Sequence, residues 1–214
     1  MTTTCLAART APGELLRLVA DGLTDSGLDV RAPGDGEGRL AIAWPGARCT
    51  LAVGDCGSAE WEYCPRSPAD ADPDLAADLA TALLTGQAGP QPRLGSGHQL
   101  ENVTFKGIVG LELKARGLEV ELAVYCDETA FDTFAEIIAT VPGSGDGGGQ
   151  VCVTDEGGLT WTRDYLAETA ALVSAPELCG QAADPASVAN SVVKAVTRAM
   201  SLLRLVETKG VGHG

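Results

Sequence analysis

Gly27-Leu28-Asp29-Val30 and Gly117-Leu118-Glu119-Val120 are one phrase written twice. An apolar stripe precedes each: Leu15, Leu18, Val19 and Leu23 before the first, Ile108, Val109 and Leu113 before the second. Leu16 and Phe105 add to the same stripes. Residues three and four apart share one side of a helix, so each stripe predicts an amphipathic helix. Gly27 and Gly117 then stand where a helix end takes a left-handed residue. The chain reads as one unit repeated, each opening with a helix.

Strand patterns follow both glycines. In the first unit Leu28–Arg31 is extended, and Gly34–Gly38 is a turn. Arg39–Trp44, Arg48–Val53 and Ala59–Cys64 are strands separated by Pro45-Gly46 and Gly54–Gly57. In the second, Leu118–Cys126 alternates apolar residues with Glu119, Glu121 and Ala123, as a half-exposed strand does. Phe131–Val141 suits a helix by the spacing of Phe131, Phe134, Ile137, Ile138 and Val141. The repeat register and the run Ile137-Ile138-Ala-Thr-Val141 favour a strand. Gly143–Gly149 is a loop, and Gln150–Asp155 with Leu159–Tyr165 form a hairpin. Trp61 and Trp161 take equivalent places in the last strand of each unit and are expected in the core.

Asp72-Pro73 and Asp184-Pro185 close each unit with a helix start, over Asp74–Leu84 and Ala186–Val206. An Asp cap accepts from free amides, and Pro at the first helical position costs no hydrogen bond. The expected class is α+β: two tandem helix–antiparallel sheet–helix units related by pseudo-two-fold symmetry. The boundaries are a tail 1–12, a first unit 13–85, a Gly/Pro linker 86–97, a second unit 98–207 with an extra segment at 168–183, and a tail 208–214.

Composition sets limits. The 214 residues are 45% hydrophobic and 21% charged, which is not a disordered composition. Lys plus Arg number 15 against 29 Asp plus Glu, for a net charge of −14. The acid excess is shared by residues 1–97 and 98–214. Such a surface repels polyanions, so neither nucleic acid nor an anionic membrane is expected as partner. The start, Met1-Thr-Thr-Thr-Cys-Leu-Ala-Ala-Arg9, lacks a cationic region followed by a long apolar one, and no apolar run reaches spanning length. A cytoplasmic location is expected.

Candidate chemistry is thin. Cys5, Cys49, Cys56, Cys64, Cys126, Cys152 and Cys179 include no Cys-x-x-Cys pair, so reduced thiols are expected rather than a zinc site or disulfides. Cys49, Cys56 and Cys64 read as buried. His98 and His213 are the only histidines, one directly after the linker and one in the tail, so the thiols lack an obvious base. Gly143–Gly149 resembles a phosphate loop but leads into a strand and lacks a following Lys-Ser or Lys-Thr. Asp70, Asp72 and Asp74 alternate like calcium ligands, but Pro73 interrupts them and Asp72 serves as a cap. Asp35 and Glu37 sit in a glycine turn. Glu60 and Glu62 alternate with Trp61 and Tyr63, so they face solvent together. No catalytic residue, cofactor or metal ligand is expected, and the chain is not read as an enzyme.

With Leu15–Gly27 leading to Leu28-Asp-Val30, and Phe105–Gly117 leading to Leu118-Glu-Val-Glu-Leu122, each unit resembles the YbjN-like and type III secretion chaperone-like fold. The hairpin Val151–Trp161 and the two Asp-Pro helices complete the resemblance, over roughly residues 13–85 and 101–206. The resemblance implies a peptide-binding chaperone or adaptor. Here two copies share a chain where such chaperones pair as dimers, so a monomer with an internal pseudo-dimer, or a weak homodimer, is expected. The richness in Ala and Gly, with Lys scarce beside Arg, suits a GC-rich genome such as an actinobacterium's. The expected function is non-enzymatic: a client peptide or protein segment held on the sheets, near loops 34–38 and 143–149. The alternatives are a regulatory or immunity-type dimerising protein, or an accessory subunit of an enzyme complex.

Overall fold

The computed structural model describes residues 13–31, 38–54, 57–87, 104–127, 132–144, 148–154, 156–165 and 184–210. Its elements in chain order are α1 (Glu14–Asp25), β1 (Val30–Arg31), β2 (Arg39–Ile42), β3 (Ala47–Val53), β4 (Ser58–Pro65), a short 3-10 turn (Pro68–Asp70), α2 (Pro73–Thr85), α3 (Phe105–Ala115), β5 (Glu119–Asp127), β6 (Asp132–Thr140), β7 (Gln150–Val153), β8 (Leu159–Asp164) and α4 (Pro185–Gly210). The architecture is α+β. The eight strands form one antiparallel sheet in the order β1-β2-β3-β4-β8-β7-β6-β5. Phe131–Val141, readable as helix or strand, is extended over Asp132–Thr140.

The helix ends behave as their residues require. Gly27 and Gly117 have φ of 78° and 81°, and the amides of Leu28 and Leu118 return to the carbonyls of Leu23 and Leu113. Asp72 caps α2 by accepting from the amides of Asp74 and Leu75 at 2.9 and 3.4 Å. α4 begins at Pro185 and runs four residues past the expected end, to Gly210.

One correction concerns the sheet. The sequence suggested a sheet for each unit, but β4 pairs with β8 in register, Glu60 opposite Thr162, Trp61 opposite Trp161 and Glu62 opposite Thr160. The two runs of four strands therefore merge edge to edge. The reason is local: β4 is eight residues long, alternates cleanly and, at the end of its own run, would otherwise leave its amides and carbonyls unpaired. The helices cross the join as well, α1 packing on α4 and α2 on α3.

All described helices cover the same face of the sheet. Leu51, Trp61, Trp161, Val151 and Val153 of the strands meet Leu15, Val19, Leu23, Leu79, Val109, Leu113, Val192, Val196 and Met200 of the helices in one cluster. Trp61 and Trp161 are both fully buried at its centre. At ~25 cal/mol per Å² of apolar surface removed from water, each such side chain stabilises the fold by a few kcal/mol.

Arg116 is the polar exception. Its side chain is wholly inaccessible and reaches from α3 to α2, 2.9 Å from Asp78 and 3.2 Å from the Thr81 hydroxyl, with Glu112 of its own helix 3.7 Å away. This network ties the two chain halves together through their helices.

Candidate functional site: the open face of the sheet

With the described helices all on one side, the other side of the sheet is open among the described residues. In-register pairing draws its residues into rows across the strands. One row runs Arg39, Ala52, Glu60, Thr162, Gln150, Thr140, Glu119, from β2 to β5. The next runs Ala41, Thr50, Glu62, Thr160, Cys152, Ile138, Glu121. Seven strands at ~4.8 Å spacing give each row a reach of roughly 29 Å.

A groove of about 1000 Å³ lies over the first row. Its floor is made by Ala52, Glu60, Thr162 and Gln150, and the backbones of Gly38 and Gly149 form part of its wall. Gly149 has φ of 74°, and a Cβ there would stand 3.4 Å from the Thr162 carbonyl oxygen and from Trp161 Nε1. The left-handed backbone, more than lack of space, is what favours glycine there. Of loops 34–38 and 143–149, residues 34–37 and 145–147 lie outside the described residues, whereas Gly38 and Gly149 border the groove.

Polar side chains are held in place along these rows. Arg39 donates to Glu60 at 3.3 Å and lies 3.6 Å from Glu62. The Thr50 hydroxyl donates to Glu62 at 2.8 Å. Glu60 and Glu62 do share the open face, but as partners of Arg39 and Thr50 rather than as a carboxylate pair offered to a substrate. At the sheet end, the Arg163 guanidinium stands over the Tyr165 ring at 5.1 Å.

Of the described thiols, Cys49 is placed for packing. Cys49 is buried on the helix side, and burial, with Cys64 nearby, pushes its thiol up to about 12. Burial likewise pushes the Tyr63 hydroxyl up to about 12, with Cys49 adding to it. Cys152 is raised by burial and then by Glu136. A raised thiol is the opposite of an activated nucleophile. Cys64 corrects an expectation: it is only half-buried, because alternation along β4 places it beside Glu62 on the open face. Cys49, Cys64 and Cys152 are free thiols. Asp35, Glu37, Cys5, Cys56, Cys179, His98, His213, most of the linker and the segment 168–183 lie outside the described residues, as does the side chain of Cys126.

Among the described residues no group of His, Cys, Asp and Glu is arranged to hold a metal ion, and no helix is long and apolar enough to cross a membrane. Comparison with protein-family models, curated proteins and solved structures finds no match.

Proposed function

We propose that this chain is a non-enzymatic peptide- or protein-binding module of chaperone or adaptor type, holding an extended client segment on its sheet. The observation that carries the reading is the groove over the open face, about 1000 Å³ in volume, polar on its floor and bordered by glycine backbone. The main-chain groups of these interior strands are already paired, so a segment lying in the groove is held by side chains such as Glu60, Gln150 and Thr162, which offer donors and acceptors to its backbone and side chains. The acidic surface disfavours polyanionic partners, and the free thiols suit a reducing compartment such as the cytoplasm.

The same proposal takes the two chain halves as copies related by an approximate two-fold axis through the Trp61–Trp161 pair, as in the YbjN-like and secretion chaperone-like proteins. Three features support it. Both halves run their strands in sequence order, and they meet antiparallel at their last strands. Each half places a helix before its strands and another after them. The α1–α4 and α3–α2 pairings exchange with one another under that axis.

The test is a thermal-shift screen of peptide pools against a metabolite collection, followed by amide chemical-shift mapping with a peptide hit. The expected result is stabilisation by peptides, with the largest shifts at Glu60, Gln150, Thr160 and Thr162. Stabilisation by metabolites alone, or shifts confined to the helices, overturns the reading.

A further inference from the structure

The sheet's two outer strands differ. β1 is only two residues long, whereas β5 pairs with β6 over nine, from Glu119–Thr140 to Asp127–Asp132. β7 in turn pairs only with Ile137–Thr140. Beyond Ile137 the β5–β6 ribbon is therefore two strands wide among the described residues. A two-stranded ribbon is marginal in water without further cover.

Its apolar side is uncovered among the described residues too. Val120 packs against the core, but Leu122 and Val124 on the same side are 63% and 58% exposed. α3 explains part of this. Gly110 sits over Val120 and Ile137, where a Cβ would meet Ile137 Cδ1 at 2.7 Å. Only five residues of α3 precede Gly110, about 7.5 Å of helix, while Val124 lies about 13 Å along the strand from Val120. The helix ends before the strand does.

The ribbon's other side is acidic. Both open-face rows end on it, at Glu119 and Glu121, and Glu136 stands opposite Ala123 on that side. Neither β5 nor β6 contains Lys, Arg or Pro, the residues with which exposed edges are commonly blunted. Charge selects the occupant. A second copy would bring its own glutamates against these and add another −14, and like charges facing across strands are destabilising.

We infer that the outer edge of β5 takes an extended basic segment of a partner protein as an additional strand. Its Lys or Arg side chains lie beside Glu119 and Glu121, and its alternate apolar side chains cover Leu122 and Val124. This inference rests on the peptide-binding reading above and names the partner's chemistry and where it lands.

The test uses the full chain and a dye-labelled peptide of about eight residues, a usual strand length, alternating lysine with valine. A glutamate–valine peptide is the control, and fluorescence anisotropy gives the affinity. The lysine peptide is expected to bind, more weakly as salt rises, and to slow hydrogen exchange along β5. The double variant Leu122→Lys, Val124→Lys is expected to lose at least tenfold in affinity. The pair Glu119→Lys, Glu121→Lys is expected to weaken the lysine peptide by roughly three- to tenfold and to admit the glutamate peptide. All four side chains are exposed, and an unchanged melting temperature checks that the variants fold. Lysine-peptide binding with protection at β4 and β8 instead of β5 overturns the inference and leaves the peptide-binding reading standing. Failure of peptides of every composition overturns both. Dimerisation that Leu122→Lys abolishes assigns the edge to a second copy and also overturns it.

Discussion

Trp61 and Trp161 face each other at the middle of the sheet, both fully buried, and the indole N–H of each lacks a hydrogen-bond partner. That combination separates two substitutions that normally rank together. Trp161→Ala removes the whole ring and is expected to cost about 3–5 kcal/mol. Trp161→Phe removes the N–H and leaves a void of roughly 40 Å³, which at about 24 cal/mol per Å³ costs about 1 kcal/mol. Against this, an orphaned buried donor carries a penalty of about 1–3 kcal/mol that phenylalanine avoids. The two nearly cancel, so Trp161→Phe is expected within about 1 kcal/mol of the parent, and Trp61→Phe likewise. Urea unfolding followed by circular dichroism gives both numbers on one scale. Because the rings are cross-strand neighbours, the double Ala variant should depart from additivity. A cost above about 2.5 kcal/mol for either Phe variant refutes the reasoning, since it would mean that the N–H has a partner worth keeping.

Alkaline unfolding follows from Cys49 and Tyr63. Both release their protons less readily when folded than when unfolded, so the unfolded chain binds fewer protons and stability falls as pH rises. The loss should be absent below about pH 8, set in near pH 9 and continue toward pH 12, and Cys49→Ala should flatten it in a pH series of thermal melts. Asp72→Ala removes the α2 cap and is expected to cost about 1 kcal/mol in chemical denaturation, with Asp72→Asn recovering most of it. Arg39→Ala should change stability by no more than about 1 kcal/mol, because its carboxylate partners and its own side chain are one-third to one-half exposed. Thiol titration should find Cys49 unreactive in the native state and all seven cysteines reactive in denaturant; fewer than seven would reveal a disulfide.

The elements were largely legible because each carries its own local signal. The stripes Leu15-Val19-Leu23 and Val109-Leu113 have helical spacing, Gly27 and Gly117 supply the left-handed turn, and Asp72-Pro73 announces α2. Alternation around Trp61 and Trp161 placed both rings in the core. What local pattern does not carry is which edge meets which. Nothing in Ala59–Cys64 says that its free side pairs with Leu159–Asp164, so two sheets were expected where there is one. The groove depends on that join, since its floor takes Glu60 from β4 and Thr162 from β8. The exposure of Leu122 was illegible for a related reason. Alternation assigns it to the covered side of the sheet, and only the length of α3 and the reach of β7 show where the cover stops. Arg116 reads in sequence as an ordinary charge near a helix end. Its burial depends on α2 lying alongside, which is again a contact between the two halves.

On the proposed reading of the halves as copies, holding both in one chain permits what a homodimer forbids, namely two different seams. Under the proposed two-fold, the match of Gly27 with Gly117 carries Gly22 onto Glu112 and Ser26 onto Arg116. The match of Asp72 with Asp184 carries Asp78 onto Asn190 and Thr81 onto Val193. The α2–α3 seam is ionic, with Arg116 between Asp78 and Glu112. In the equivalent α1–α4 seam a glycine takes the close contact instead: a Cβ added at Gly22 would come within 2.9 Å of Val193 Cγ2. An identical pair of subunits would have to use one solution twice. Two ionic seams would bury two guanidinium–carboxylate networks, each with a desolvation cost of several kcal/mol to recover. Two glycine-bearing seams would weaken two helices, since glycine costs about 1 kcal/mol relative to alanine in a helix interior. The same freedom reaches the sheet edges, where β1 stops after two residues and β5 runs for nine. Among the described residues one edge is thereby short and the other long, and on the proposal above a partner that adds a strand uses the long one.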